Sequence, residues 1–98
     1  MTITKKTEGT ALTLAVGGRL DTVTSPELEA ELNASLDGVT ALTFDFAALE
    51  YISSAGLRVL LAAQKRMSAQ GSMKVVNVNE TVGEVFEVTG FADFLTIE

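Results

Sequence analysis

The sequence predicts an α/β domain with a mixed sheet of four to five strands and three or four helices. An early segment alternates apolar with polar residues, as half-buried strands do. Later segments alternate between strand-like and helical spacing, and strands separated by helices need crossovers that make them parallel. The 98 residues predict one domain, 1–98, because two halves would each be too short to hold a core.

The N-terminal residues predict an antiparallel hairpin. A first strand contains Ile3, and Glu8-Gly9-Thr10 has the composition of a turn. Gly17-Gly18 is predicted to end the second strand, because two residues without Cβ indicate a sharp change of direction. Between the turn and this end, three apolar residues share one face of the second strand: Leu12, Leu14 and Val16.

Ser25-Pro26 predicts the start of the first helix. Ser25 is expected as the N-cap and Pro26 at the first helical position. Asp37-Gly38 is expected to end the helix, since Gly38 can adopt the left-handed cap conformation. Leucines in between recur every four residues and form one apolar stripe: Leu28, Leu32 and Leu36.

Residues 41–46 predict a third strand, and a second helix follows from about residues 53–56 to Gln70, with Gly71 closing it. The strand carries Leu42, Phe44 and Phe46 on one side. The helix has one apolar stripe, made of Leu57, Leu60, Leu61 and Met67.

A fourth strand is predicted at Met73 and Val75–Val78, and its continuous apolar run favours a buried position in the sheet. Asn79-Glu80 is expected to cap a third helix that ends at Gly90. The last residues predict a short turn and an optional edge strand. The expected order is therefore ββαβαβα, with an optional final strand.

Composition and charge exclude several function classes. Seven basic and thirteen acidic residues give a net charge of −6, which disfavours binding to nucleic acid or anionic lipid. Because the chain has no His and no Cys, it cannot contain a Ser-His-Asp triad, a thiolate nucleophile, an imidazole metal site or a cysteine zinc site. No metal and no cofactor is predicted, and the chain is not expected to be an enzyme.

No segment predicts targeting or membrane insertion. Residues 1–8 lack the apolar region of a signal peptide. The longest apolar run, Val59–Ala63, is far shorter than the ~20 residues that span a bilayer. We therefore expect a cytoplasmic protein.

Small and polar residues cluster in Ile52–Leu57, where a predicted strand is followed by a predicted helix. Two compatible interpretations remain open: Ser53 or Ser54 caps the helix, or the exposed N–H groups of this turn receive a ligand or partner. Nucleophilic catalysis by Ser54 lacks a base, because Lys65 lies eleven residues along the helix, about 16 Å away. Asp21 is expected to be a turn-former or a solvated loop residue.

Three segments together resemble the STAS domain, and in particular the bacterial anti-sigma factor antagonists. They are Gly18-Arg19-Leu20-Asp21 before the first helix, Tyr51–Leu57, and Thr89-Gly90-Phe91 after the last long helix. The resemblance covers nearly the whole chain and implies the STAS fold. Departures occur at Ser53, where many members have Asp, at Ala55, where they have Ser or Thr, and at Arg58, which replaces a frequent Gly.

The resemblance implies a switch based on phosphorylation. An anti-sigma factor that is also a serine kinase would bind the unmodified chain and phosphorylate Ser54, with Ser53 as the alternative acceptor. A serine phosphatase would reset the cycle, and ATP would enter only through the kinase. The alternative is a STAS subunit of a membrane transport or stress-signalling complex that is never phosphorylated. The expected partner-binding residues are Asp21, Thr22, Ser53, Ser54, Ala55, Gly56, Leu57 and Arg58.

Overall fold

Five strands and three helices follow the order ββαββαβα in a computed structural model that describes all residues, 1–98. A single 3-10 turn, Phe91–Asp93, follows the last helix. The strands are β1 (Thr2–Glu8), β2 (Ala11–Leu20), β3 (Ala41–Asp45), β4 (Leu49–Ile52) and β5 (Ser72–Val76). The helices are α1 (Ser25–Ser35), α2 (Ser54–Gln70) and α3 (Glu80–Thr89).

Strand β2 organises the sheet. It pairs antiparallel with β1 along one edge, and along the other edge it pairs in parallel first with β3 and then with β4. Strand β5 extends the sheet by pairing in parallel with β3. The predicted mixed sheet, with an antiparallel hairpin and parallel later strands, is confirmed.

The helices and the sheet enclose one core of 23 buried apolar side chains. Alternate residues of β2 and β3 point into it, whereas Thr13 and Thr43 on the opposite face are half-buried. The predicted leucine stripe of α1 is buried throughout, and so is the predicted inner face of residues 41–46. In the predicted stripe of α2, Leu61 alone is only half-buried.

Two features between β2 and β4 correct the sequence-based expectations. Gly17-Gly18 does not end the second strand, because β2 continues to Leu20 with a register shift after Gly18. The N–H of Gly18 donates to the carbonyl of Ala48 at 2.9 Å, and a Cβ on Gly17 would lie 2.7 Å from Thr2 Oγ1. The two glycines therefore allow β1 and the segment around Ala48 to approach β2 closely. Ala48 directly precedes β4, a strand that was not predicted.

The start of α1 also differs from the expectation. Thr24, not Ser25, is the N-cap, and Ser25 is the first helical residue. The end of the helix is as predicted, with Gly38 at φ +79° just beyond it. For α2 either Ser53 or Ser54 was expected as the cap, and the structure shows that it is Ser53. The predicted cap of α3 at Asn79 is confirmed, and both side chains accept a backbone hydrogen bond.

The C-terminal part of the sheet is simpler than expected. Strand β5 is not surrounded by other strands but lies at the edge, with Met73 and Val75 buried and their neighbours less so. Its outer side is covered by the C-terminus, where Val75 donates to the carbonyl of Thr96 at 2.8 Å. The optional last strand is thus reduced to one isolated bridge between Val75 and Ile97.

Candidate functional site at the first turn of helix α2

The first turn of α2 begins with Ser53 in an extended conformation, at φ −98° and ψ 177°. Its Oγ accepts a long hydrogen bond of 3.5 Å from the N–H of Gly56, and its carbonyl accepts from the N–H of Leu57 at 2.9 Å. Ser53 is half-buried. The side chain is therefore a weak N-cap, and its hydroxyl oxygen is partly occupied by that role.

Ser54 is the first residue of α2 and has a different environment. Its side chain is exposed and makes no hydrogen bond with another residue. The hydroxyl projects beside the positive end of a 17-residue helix, where an anion is favoured by the free N–H groups and the macrodipole. Of the two serines, Ser54 is the one whose oxygen is free to react with or bind a partner.

Gly56 holds this turn against the sheet. A Cβ at this position would lie 2.8 Å from Leu20 Cγ and 2.8 Å from Ile52 Cγ1, closer than side chains tolerate. Leu20 and Ile52 are register partners at the ends of β2 and β4, and the N–H of Ser53 donates to the carbonyl of Leu20 at 2.9 Å. The missing side chain therefore lets the helix start directly on the strand ends.

Asp21 shapes the loop between β2 and α1. One carboxylate oxygen accepts from the N–H of Val23 at 3.0 Å and from the N–H of Thr24 at 3.1 Å, while Thr24 Oγ1 donates to the carbonyl of Arg19 at 2.7 Å. The Thr24 N–H chiefly lowers the pKa of Asp21, with weaker help from the other donors and Arg19. Of the two roles expected for Asp21, a turn-former or a solvated loop residue, these contacts confirm the first.

Arg19 and Tyr51 form a cross-strand pair next to this loop. They are register partners of β2 and β4, and the guanidinium carbon lies 4.4 Å from the centre of the Tyr51 ring. The Nε of Arg19 also lies 3.8 Å from the Asp21 carboxylate. No sequence pattern indicates this pair, because Tyr51 belongs to β4, a strand that was not predicted.

A shallow groove separates the beginning of α1 from the first two turns of α2. Ser25 is only 4% exposed there, and its Oγ is the one buried side-chain polar atom without a hydrogen-bond partner. Arg58 is exposed and has no carboxylate within 4.0 Å. The residues that line the groove are Thr22, Ser25, Pro26, Glu29, Ala55, Arg58 and Val59.

Comparison with known proteins identifies the family. The family model of the STAS domain matches residues 2–98, almost the whole chain. The chain belongs to the STAS domain family.

Individual relatives agree with the family model. The chain is 38% identical over 82 residues to BtrV of Bordetella bronchiseptica, which is named as a candidate anti-sigma factor antagonist, and the match covers 82% of this chain and 71% of that one. A solved anti-sigma factor antagonist from Mycobacterium paratuberculosis has 26% identity and a TM-score of 0.88, covering 98% of this chain and 83% of the other.

A third similar protein, the anti-sigma factor antagonist SpoIIAA of Bacillus, has been solved in two forms. The unphosphorylated form has a TM-score of 0.85 at 19% identity and covers 99% of this chain and 88% of that one. The phosphorylated form has a TM-score of 0.77 at 18% identity, with coverages of 99% and 91%. At these identities the likeness concerns the fold.

In this STAS domain, the predicted partner-binding residues divide into two groups. Gly56 and Leu57 are buried, so they position the turn from below. The others reach the surface or are half-buried: Asp21, Thr22, Ser53, Ser54, Ala55 and Arg58. The groove residues Ser25, Pro26, Glu29 and Val59 were not predicted, and no local pattern marks them, because their proximity to α2 arises only from helix packing.

A second polar pair of the STAS domain lies at the ends of β3 and β5. Asn77 Nδ2 donates to Asp45 Oδ1 at 3.0 Å, and the N–H of Ala47 donates to the same oxygen at 3.0 Å. The Asn77 amide, followed by the Ala47 N–H, lowers the pKa of Asp45. These two contacts through one carboxylate oxygen tie the loop after β3 to the loop after β5.

Residues 1–98 contain neither a membrane-spanning helix nor a cluster of potential metal ligands. None of the helices is long and apolar enough to cross a membrane. No three carboxylates approach one another closely enough to hold a metal ion.

Proposed function

We propose that this STAS domain is an anti-sigma factor antagonist that acts in the cytoplasm, with Ser54 as its phosphorylation site. The unmodified chain binds an anti-sigma factor that is also a serine kinase and thereby releases the sigma factor; phosphorylation of Ser54 ends this binding. The observation that carries the proposal is the exposed Ser54 hydroxyl, which makes no hydrogen bond and stands on a turn anchored by Gly56. The names of its relatives support the same class.

Ser54 fits the acceptor role better than Ser53. The oxygen of Ser53 is half-buried and accepts from the Gly56 N–H, so its modification would disturb the helix cap. The oxygen of Ser54 can approach a nucleotide on a partner without any change in this chain. SpoIIAA has been solved in a phosphorylated form, which shows that a chain of this fold accepts a phosphate.

The chain is the substrate in this reaction, and the kinase supplies ATP and the base. The Ser54 oxygen attacks the γ-phosphorus of ATP, the bond from that phosphorus to the β,γ-bridging oxygen breaks, and ADP leaves. The hydroxyl proton passes to a base of the kinase, since this chain has no His. A serine phosphatase returns the hydroxyl by hydrolysis.

Electrostatics favours the phosphate within the free domain and disfavours it in a complex. A phosphate adds about −1.5 to −2 charges, and the helix N-terminus stabilises such a charge by about 0.3–1 kcal/mol. The same charge buried in an interface without a cation costs roughly 3–5 kcal/mol. At about 1.4 kcal/mol per tenfold in Kd, this corresponds to a roughly hundredfold to several-thousandfold loss of affinity.

Paired baits test the proposal. Ser54→Ala and Ser54→Asp chains are used to capture partners from the native lysate, and each retained protein is identified and tested with ATP. We expect Ser54→Ala to retain an ATP-binding anti-sigma factor that Ser54→Asp loses. We also expect that factor to phosphorylate the unmodified chain and the Ser53→Ala control, but not Ser54→Ala.

Two outcomes contradict the proposal. If the phosphate maps to Ser53, or the captured factor modifies no serine, the assignment of Ser54 is wrong. If both baits retain components of a membrane transport or stress-signalling complex, the domain is an accessory subunit that is not switched at Ser54.

A further inference from the structure

We propose that Arg58 binds the phosphate of phosphorylated Ser54 within the same helix, so that the switch contains its own counter-charge. This inference rests on the proposed phosphorylation of Ser54 and adds a residue that senses it. Ser54 and Arg58 both lie in α2, four residues apart, and both side chains are exposed.

The spacing and the order of the two residues suit such a pair. Side chains four residues apart in a helix are neighbours, with Cβ atoms about 5–6 Å apart, and an acidic group on the N-terminal side of a basic one is the more favourable order. Phosphorylation creates that order, because Ser54 precedes Arg58. The planar guanidinium can donate two parallel hydrogen bonds to phosphate oxygens, which the ammonium of a lysine cannot do.

Arg58 is also one of the few cations still available. Of seven Lys and Arg side chains, five form ion pairs: Lys5, Lys6, Arg19, Lys74 and, at 2.6 Å, Arg66. Only Arg58 and Lys65 have no carboxylate within 4.0 Å. Lys65 is eleven residues from Ser54, about 16 Å along the helix, which is beyond the Debye length of about 8–10 Å.

Two polar groups in the groove beside Arg58 are without partners. The buried Ser25 hydroxyl in its wall makes no hydrogen bond, and the Arg58 guanidinium has no carboxylate within 4.0 Å. The other charged group in the groove is Glu29, on α1. Arg19 and Asp21, at the end of β2 and in the next loop, already contact each other. Arg58 is therefore the free cation at the Ser54 turn.

The pair changes what phosphorylation does to the surface. In the unmodified chain Arg58 is free to contact a carboxylate of the partner. After phosphorylation the guanidinium is held by the phosphate. One guanidinium only partly neutralises a phosphate of about −1.5 to −2 charges, so the surface keeps an excess negative charge and loses an accessible cation in the same step.

The test measures the titration of the phosphate itself. Phosphoserine is introduced at position 54 during translation, so no kinase is needed, and the second pKa of the phosphate, about 6 in a free phosphoserine, is followed by phosphorus NMR. Arg58→Gln removes the charge while keeping a long polar side chain. Lys65→Gln removes the other unpaired charge of α2 and is the matched control.

We expect Arg58→Gln to raise the phosphate pKa by about 0.3–0.7 unit relative to the phosphorylated parent. Lys65→Gln is expected to shift it by less than about 0.1 unit. Arg58→Lys keeps the charge and should restore most of the parent value. A purely structural role of Arg58 would not move this titration, and circular dichroism of the unphosphorylated variants checks their folding.

Equal shifts in Arg58→Gln and Lys65→Gln would overturn the proposal, as would an unchanged value in both. This measurement does not require the proposed function to be correct, because the phosphoserine is introduced without a kinase. If no cellular kinase modifies Ser54, the proposed switch fails, whereas the titration still reports whether Arg58 binds a phosphate at this position.

Discussion

Arg19 of β2 and Tyr51 of β4 are register partners, and the guanidinium of one lies 4.4 Å from the ring centre of the other. The pair lies in the short parallel ladder between β2 and β4, one position before its last pair, Leu20 and Ile52, at the first turn of α2. Because both side chains remain partly accessible to solvent, their attraction belongs to the weak class of exposed cation–π contacts.

A double-mutant cycle measures this contact. Arg19→Ala and Tyr51→Ala should show a coupling free energy of about 0.5–1 kcal/mol in urea unfolding. Tyr51→Phe keeps the ring and should lose little of the coupling. Strictly additive effects of Arg19→Ala and Tyr51→Ala would mean that the stacking contributes no stability.

Gly56→Ala should destabilise the domain by about 1–3 kcal/mol, because the new Cβ would lie 2.8 Å from Leu20 Cγ and Ile52 Cγ1. Gly83→Ala in α3 is the matched control, since its Cβ would meet Val78 at an ordinary 3.5 Å. This control should be neutral or gain up to about 1 kcal/mol from helix propensity. Equal urea midpoints for the two variants would contradict the packing described for α2.

Ser25→Ala should leave the free energy of unfolding unchanged or raise it by up to about 1 kcal/mol, because it removes a buried hydroxyl that has no partner. An N-cap serine would behave oppositely and lose about 1 kcal/mol. Asn79→Ala provides the comparison, since Asn79 Oδ1 accepts from the Val82 N–H at 2.8 Å, and it should cost about 1 kcal/mol or more. Thermal unfolding of the two variants decides which residue is a cap.

Asp45 should make stability depend on pH in the acid range. Its folded-state pKa is lowered by the Asn77 amide and the Ala47 N–H, so the stabilisation is complete above the unfolded pKa of about 3.9 and is lost as pH falls through the folded value. Because the half-buried Asp45 carboxylate still contacts solvent, which screens its interactions, we expect no more than a few tenths of a kcal/mol.

The measurement is the free energy of unfolding between pH 5 and pH 2 for Asp45→Asn and its parent. The slope should be shallower in Asp45→Asn. Asp93→Asn serves as the control, because that exposed carboxylate accepts no side-chain hydrogen bond and lies on a different part of the surface. An identical slope in Asp45→Asn and the parent would show that the Asn77 contact is not maintained in solution.

Local signals were sufficient for much of the fold. The stripe Leu28, Leu32, Leu36 and the caps at Ser53 and Asn79 depend on residues close in sequence, and all are confirmed. Strand β4 was missed because it has only four residues and its partner, the end of β2, is about thirty residues away. Gly17-Gly18 predicts a strand end when only the sequence is considered, because its neighbour Ala48 is brought there by tertiary contacts.

The candidate site shows the same division. Ser53, Ser54 and Gly56 stand in one short segment, where a strand-to-helix junction is recognisable from composition. The groove is different, because Ser25 and Glu29 of α1 face Arg58 of α2 only after the helices have packed. The spacing of residues along the chain does not indicate how close α1 and α2 lie in the folded domain.

The close contact of Gly56 with Leu20 and Ile52 leaves the first turn of α2 almost no room to shift. The turn is therefore not expected to store a signal as a change of conformation. On the proposed mechanism, the signal is stored as the phosphate on Ser54, and it persists until a phosphatase removes that phosphate. The lifetime of the signal is then set by the relative rates of the kinase and the phosphatase. The folding stability of the domain does not limit that lifetime.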